Sequence, residues 1–365
     1  MKRRNFLTAT ATAAATGAGL MAAPSVSRAQ DVVRWRMSTS WPNTLDVMYG
    51  SAELLCERVK ELSGGRFEIR VFPGGEIVPA PQNLEAVGQG SVECCHTLAS
   101  FHVGREPAFA FDAGMAFGLN ARQQLAWLVQ GGGQELLRKL YSDFNVVNFN
   151  VGNTGVQMGG WFRKEINSLE DVKGLTMRIG GIGGKVLSKL GAVPQQIAPG
   201  DIYPSLEKGA IDAAEWIGPH DDYRLGLHRV APYYYSPGWW EGSAAITCLV
   251  GQEAWANLPA DLQAVFATAC AEQSRDMLAR YDALNPIAIR KLIAEGAKVA
   301  YFPREVMEAA YAAAQEVWQE LSDESPRFAE IYPQWKKFQQ DEAAWFRIAE
   351  NALDGFTTGA VTRNQ

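Results

Sequence analysis

The chain has 365 residues, 47% of them hydrophobic and 20% charged, with 34 basic against 40 acidic side chains and a net charge of −6. That composition describes an ordinary globular protein, long enough to build two lobes with separate cores. The acidic balance leaves no basic stripe for a phosphate backbone and argues against nucleic acid as a partner.

Residues 1–29 read as an address rather than as part of the fold. Lys2, Arg3 and Arg4 form a basic start, an Ala/Thr/Gly-rich apolar run extends from Phe6 to about Ala23, and Ser27-Arg28-Ala29 places small residues where a signal peptidase cuts. The paired arginines before Asn5-Phe6-Leu7 match a twin-arginine signal, so the mature protein is expected in the bacterial periplasm. The alternatives are an ordinary Sec signal or a retained anchor. The run is weaker than the ~20-residue span that a membrane helix needs.

Val32–Ser38 alternates as a strand and runs into the turn Trp41-Pro42-Asn43. Asp46–Leu62 is an amphipathic helix closed by Gly64-Gly65, and Phe67–Phe72 is a second strand ended by Pro73-Gly74-Gly75. A short helix over Asn83–Gln89 and a buried strand over Ser91–Thr97 follow. Strand–helix–strand units of this length predict an α/β lobe with a largely parallel sheet over residues 30–153.

Residues 154–240 are assigned to a second α/β lobe. It takes strands from Val156–Phe162, Leu175–Ile179 and Ile211–Ile217, a Gly-opened helix from Gly180–Leu190, and a helix from Asp201–Lys208. Two extended stretches between Tyr233 and Val250 supply the return crossing, and residues 241–302 are assigned back to the first lobe with a long connecting helix. Helical patterns fill Pro259–Glu295, Arg304–Ser322 and Ser325–Phe356, so residues 303–365 form a helical C-terminal region. Trp318, Trp335 and Trp345 punctuate these helices as core or interface filling.

No GxSxG elbow, HExxH, P-loop or GxGxxG after a strand is present, which weakens the enzyme reading. Gly180-Gly181-Ile182-Gly183-Gly184 could hold an anion on helix N–H groups, but it lacks the Lys-Ser/Thr of a nucleotide loop, and close backbone packing explains it better. Cys94 and Cys95 are adjacent, and Cys56, Cys248 and Cys270 lie in apolar surroundings; the five read as buried free thiols. His96, His102, His220 and His228 show no metal-ligand spacing.

Arg178 ends an apolar strand just before the Gly-rich turn. There its guanidinium fork could grip a carboxylate, or could equally make an interlobe salt bridge. Glu215-Trp216 end another strand, and Trp239-Trp240-Glu241-Gly242 follow Tyr233-Tyr234-Tyr235. Two carboxylates among aromatic rings repel unless protonated or bridged by a cation. Oxygens from Glu215, Glu241 and Gln157 suit a hard ion such as Na⁺ or Ca²⁺. Spacing alone slightly favours two unrelated, separately solvated acids.

At these residues the sequence resembles the solute receptors of tripartite ATP-independent periplasmic (TRAP) transporters. Leu175-Thr176-Met177-Arg178, Leu190-Gly191-Ala192-Val193-Pro194, Tyr203-Pro204-Ser205-Leu206-Glu207-Lys208-Gly209 and Ile211-Asp212 fall in the family's order and spacing, and the resemblance covers essentially the whole mature chain. Glu93-Cys94-Cys95-His96-Thr97, Gly152 to Trp161, Ala214 to Pro219 and Tyr233 to Gly242 look like the branch that binds 2-oxo- or 2-hydroxyacids with a metal ion. The resemblance implies a two-lobed periplasmic-binding-protein-like fold with hinge strands and a long interlobe helix. It also implies membrane subunits as partners, and a homodimer built with the C-terminal helices.

By the same resemblance Arg178 holds the ligand carboxylate, and Gln157, Glu215, the carbonyl of Trp216 and Glu241 hold the cation, Na⁺ or Ca²⁺. Phe101, His102 and Asn153 are expected to complete the ligand site. One departure stands out: Ser100-Phe101-His102-Val103 replaces a tyrosine-rich segment, which removes hydroxyls and favours a more apolar acid. The expectation is therefore a receptor for a small 2-oxo- or 2-hydroxy-monocarboxylate, not an enzyme. Its rivals are a sensory binding protein and a metal-dependent hydrolase or lyase using Glu215 and Glu241.

Overall fold

The structure is a computed structural model and describes residues 32–362; the signal expected over residues 1–29 lies outside the described residues. Strands β1 (Val33–Thr39), β2 (Phe67–Phe72), β3 (Cys94–Leu98) and β4 (Val146–Asn153) alternate with helices α1 (Met48–Leu62), α2 (Asn83–Gly88), α3 (Ala110–Ala113), α4 (Ala121–Val129) and α5 (Gly133–Ser142). Next come β5 (Gly160–Phe162), β6 (Thr176–Arg178), α6 (Gly181–Lys189), β7 (Val193–Gln195), α7 (Pro199–Glu207), β8 (Ala213–Ala214), α8 (Pro219–Leu225), β9 (Tyr233–Ser236) and β10 (Ala245–Gly251). The remainder is helical apart from one strand: α9 (Gln252–Asn257), α10 (Ala260–Ala294), β11 (Lys298–Tyr301), α11 (Arg304–Glu324), α12 (Pro326–Ile348) and α13 (Glu350–Thr362).

The strands form two sheets, ordered β2-β1-β3-β10-β4 and β11-β9-β5-β8-β6-β7. The first is less parallel than expected, because β10 runs antiparallel to both β3 and β4; in the second, β5 runs antiparallel to both β8 and β9. The reason lies in the crossings. β4, β6, β8 and β9 all end toward one cleft, and β5 and β10 are the strands laid down as the chain changes sheet there. A strand that starts at the cleft must run away from it, against its neighbours. Candidate ligand residues accordingly collect beyond the carboxyl ends of the parallel strands, the usual place in open α/β sheets.

Four further expectations are corrected. The strand expected over Val156–Phe162 forms only over Gly160–Phe162, because the left-handed backbone at Gly160 (φ 88°) bends the chain where the strand begins and keeps residues 156–159 out of the ladder. The strand expected over Ile211–Ile217 pairs only over Ala213–Ala214, and Glu215–Ile217 leave the ladder. Both released segments turn toward the cleft. The helix expected over Ser325–Phe356 breaks at Ala349 (φ −93°, ψ −95°) into α12 and α13. Residues 241–302 do not all return to the first sheet either, since β11 pairs with β9 in the second.

Strands β5, β8 and β10 are buried on both faces and read as apolar runs, whereas β1 and β2 alternate and are buried only in part. Neighbouring residues divide between two core layers: Cys94, Trp161 and Tyr234 enter one, Cys95, Phe162 and Tyr235 the other. The first layer is closed by α10 through Phe266, Met277 and Tyr281, the second by α11 and α12 through Val317, Trp318 and Trp335. Helix α10 thus packs along β4 and also against α8, spanning both sheets. All five cysteines are free and buried, as expected, and burial raises the thiol pKa of Cys56, Cys94, Cys95 and Cys270.

Candidate ligand site

Six of the residues singled out from sequence line one cavity between the sheets: Phe101, Gln157, Arg178, Glu215, Trp216 and Glu241. Arg178 arrives at the end of β6, Glu215 and Trp216 just past β8, and Gln157 from the Gly-rich turn before β5. Arg178, Glu215, Trp216 and Gln157 are each no more than 7% exposed, so the charges meet in a poorly hydrated space. Gly181 (φ 63°) opens helix α6 beside them, where an added Cβ would stand 3.5 Å from Ser100 and 3.9 Å from Glu241 Oε1. Gly183 serves packing, as expected, because a Cβ there would fall 2.5 Å from Trp240 Cβ.

Arg178 is held on three sides. Its Nη1 donates to the Glu215 carbonyl at 2.7 Å and to Glu215 Oε1, its Nε donates to the Ile197 carbonyl at 3.3 Å, and the guanidinium lies 5.1 Å from the Trp216 ring centre. Nη2 has no hydrogen-bond partner among the described residues, on a side chain that lines the cavity. Glu241 accepts no hydrogen bond from any described residue. Burial pushes Glu215 up to about 7 against the pull of Arg178, and burial with the Glu215 charge pushes Glu241 up to about 8. Two carboxylates that resist ionising together, one of them without a donor, form a donor set suited to a hard cation.

Two of the expected ligand residues do not line this cavity. Asn153 turns its amide to Ser243 Oγ at 3.2 Å and accepts from Gly155 N at 2.8 Å, so it shapes the turn at the crossing instead. His102, last residue of a single 3₁₀ turn with Phe101, points the other way, 6.2 Å from the Phe109 ring, and burial lowers its pKa to about 4. Consecutive residues of a tight turn face different directions, and the sequence could not say which of the two would face inward.

Trp41, Met48, Leu98, Ser100, Gln196 and Trp240 also line the cavity and were missed. Trp41 and Gln196 each follow the carboxyl end of a strand, a signal that could have found them. Trp41 is fixed by donating Nε1 to His96 Nδ1 at 2.8 Å, and burial holds His96 neutral by lowering its pKa to about 3.

With this geometry in view, the comparisons with known proteins are specific. The family model for bacterial extracellular solute-binding protein, family 7 (DctP), matches residues 37–325. A monocarboxylate 2-oxoacid-binding periplasmic protein of Nostoc sp. is 46% identical over 99% of this chain and 100% of its own length. A TRAP transporter solute-binding protein from Bordetella bronchiseptica is 64% identical, with TM-score 0.90 over 92% of this chain and 100% of its own. Its crystal structure is a mixed-occupancy dimer, with copurified calcium and picolinate in one site and the other apo. A TRAP solute-binding protein from Pseudoalteromonas atlantica, solved with sodium and pyruvate, is 36% identical with TM-score 0.86 over 88% of this chain and 98% of its own.

Proposed function

The chain belongs to the family 7 (DctP) bacterial extracellular solute-binding proteins, and from that premise we propose that it captures a small 2-oxo- or 2-hydroxy-monocarboxylate together with a cation, calcium or sodium, in the periplasm. The family is one of receptors for transport, so the chain is a solute receptor and not an enzyme. The observation that carries the reading is the convergence of Arg178, Glu215, Glu241 and Gln157 on one cavity, with Arg178 Nη2 uncommitted and Glu241 without a donor.

In this reading Gln157, Glu215, the Trp216 carbonyl and Glu241 hold the cation, which supplies a Lewis-acidic centre for the acid to chelate. Arg178 takes the acid's carboxylate through Nη2. With Glu215 committed to a cation, the Nη1 hydrogen now on its carboxylate would be free for a second, parallel bond to the acid, while Nη1 keeps its bond to the Glu215 carbonyl. Pyruvate and picolinate, the ligands of the two relatives, each carry a donor atom α to the carboxylate, so each can close a chelate ring on one ion. Charge balance points to calcium over sodium. Two protein carboxylates, one guanidinium and one bound carboxylate sum to two negative charges, which a divalent ion cancels.

Calorimetry on protein stripped with a chelator tests this. Pyruvate should bind tightly with calcium present and weakly without it, and propionate, lacking the α oxygen, should bind poorly in both. Equal affinity for propionate and pyruvate would sink the chelate.

Export by the twin-arginine route follows from Arg3-Arg4 and predicts retention in the cytoplasm when both become lysine. Delivery to TRAP membrane subunits follows from the family, and their genes beside this one would separate transport from a sensory role. The homodimer is supported by the exposed apolar side chains of the C-terminal helices, Ile348, Leu353 and Phe356 at 70%, 65% and 73%. Light scattering on Phe356→Ser should show a monomer.

A further inference from the structure

Outside the ligand cavity, the loop before α1 meets the first turn of α8. Asp46 Oδ1 lies 2.8 Å from His220 Nε2, a residue 174 positions further along the chain. A carboxylate oxygen of Asp46, one of Asp221 and a ring nitrogen of His220 all lie within 4.8 Å of one another. That separation in sequence is why the spacing of the histidines gave no sign of the group.

Asp221 is fully buried. Its Oδ2 accepts from Tyr281 OH on α10 at 2.5 Å, and its Oδ1 has no partner among the described residues. Asp222, the next residue, turns away to Trp161 and Tyr234. Burial, reinforced by the charges of Asp222 and Asp46, raises Asp221 to about 7, so it resists ionising until a cation meets it.

The group is braced as metal ligands are. Arg224 Nη2 holds Asp46 Oδ2 at 2.7 Å and Tyr281 holds Asp221 Oδ2, which leaves the other oxygen of each carboxylate for an ion. The backbone N of His220 donates to Asn285 Oδ1 at 3.0 Å and fixes the turn that carries the ring. Ligand atoms on a tetrahedral zinc stand about 3.3 Å apart, so separations between 2.8 and 4.8 Å need only small side-chain shifts. Arg224 and Asp46 are 40% and 41% exposed. Water therefore screens the guanidinium, and the open side gives the ion a path in and a fourth ligand from solvent.

We propose that Asp46, His220 and Asp221 form a second cation site, built for a zinc-class dication. One imidazole nitrogen with two carboxylate oxygens suits zinc better than calcium or sodium, so the two sites of the molecule select different metals. The ion takes the place of the hydrogen shared by Asp46 and His220, and it satisfies Asp221 Oδ1. Asp46 comes after β1 of the first sheet, and His220 and Asp221 after β8 of the second, so the ion fastens segments of both sheets together.

The test is zinc calorimetry on the protein in excess calcium, so that the acid site is not free to take zinc, with wild type, His220→Gln and Asp221→Asn. Wild type should bind a single equivalent of zinc, and its melting temperature should rise with zinc. His220→Gln keeps a donor for Asp46 but removes the imidazole, and should weaken zinc by about tenfold or more and abolish the rise. Asp221→Asn should do the same; where it fails to fold, His220→Gln decides alone. Cobalt(II) should give the visible absorption of a four-coordinate ion in wild type and not in His220→Gln. The site is wrong if no zinc binds in excess calcium, if the variants bind zinc as tightly as wild type, or if the cobalt spectrum survives the loss of His220.

Discussion

The molecule buries two kinds of carboxylate, and their surroundings differ in one respect. Asp222 accepts from Trp161 Nε1 at 3.0 Å, Tyr234 OH at 2.7 Å and Ile217 N at 3.3 Å; Asp112 accepts from Tyr141 OH at 2.7 Å and Asp221 from Tyr281 OH at 2.5 Å. These acids take aromatic donors of the core and tie elements together, although Asp221 Oδ1 keeps no partner among the described residues. Glu215 shares one guanidinium, and Glu241 accepts nothing from the described residues. A buried acid that the protein satisfies is structure; one left wanting is waiting for something else. Near-neutral pKa values alone would not separate them, since burial raises Asp112 and Asp222 to about 6 and Asp221 to about 7 as well.

The sharpest way to break this comparison is to remove the guanidinium on which Glu215 depends. Arg178→Ala should weaken acid binding by about 100-fold or more, because the bound carboxylate and Glu215 would then face each other with no guanidinium between them. Arg178→Lys keeps the charge but not the fork and should recover part of that loss. A dissociation constant within about threefold of wild type for Arg178→Ala would end the argument for the site.

Matched amide substitutions come next. Asp222→Asn turns an NH₂ toward donors that Oδ2 now accepts from, and should cost about 2 kcal/mol of stability in chemical denaturation. Glu241→Gln disturbs no protein hydrogen bond. It should leave the cation-free protein as stable as before, or more so, while weakening calcium by about tenfold or more. If both substitutions destabilise alike, the two kinds of acid are one kind.

How much of this was legible in the sequence follows the same division. Arg178, Glu215, Glu241 and Gln157 could be named because charges and amides amid aromatic, Gly-rich stretches are costly unless used, and the family resemblance gave them roles. The long helix over Ala260–Ala294 was legible because 3.6-residue periodicity accumulates over ten turns. The short strands were not: β8 is two residues long, and its end is set by where Gly160 lets the chain approach Ala214, a tertiary fact. For the same reason Phe101 and His102 could not be told apart, and Gln196 stayed hidden because the strand whose carboxyl end it follows is only three residues long.

Titration offers a finer test of the waiting acids. An acid whose folded pKa exceeds its unfolded value binds more protons folded than unfolded, so stability falls as pH rises between the two values. Glu215, Glu241 and Asp221, raised to about 7, 8 and 7, therefore lower stability as pH climbs from their unfolded values toward 7–8. His96 and His102, lowered from 6.5 to about 3 and about 4, act oppositely, but only below 6.5. From pH 6.5 to 8 the acids are left unopposed among these groups. Cation-free protein should lose melting temperature across that window, and calcium should raise it more at pH 8 than at pH 6.5. A calcium effect independent of pH would mean that the ion does not meet Glu215 and Glu241.

The smallest effect is expected where charges are paired but wet. Asp46, just before α1, bridges to α8: its carboxylate meets His220 Nε2 at 2.8 Å and Arg224 Nη2 at 2.7 Å, and its carbonyl accepts from Arg280 Nη2 at 2.9 Å on α10. Partial burial works against its charge, but the bond to His220 and the charges of His220, Arg224 and Arg280 outweigh that and hold its pKa below the usual 3.8. Its side chain is 41% exposed, so water and salt screen most of the attraction. Asp46→Asn should thus cost less than about 1 kcal/mol, and the difference should shrink in molar salt. The contribution is present above pH 3.8 and is lost as pH falls through the folded value, the opposite sign to the buried acids. A loss as large as that of Asp222→Asn would show that solvent exposure, and not the supply of donors, has been given too much weight in separating one carboxylate from another.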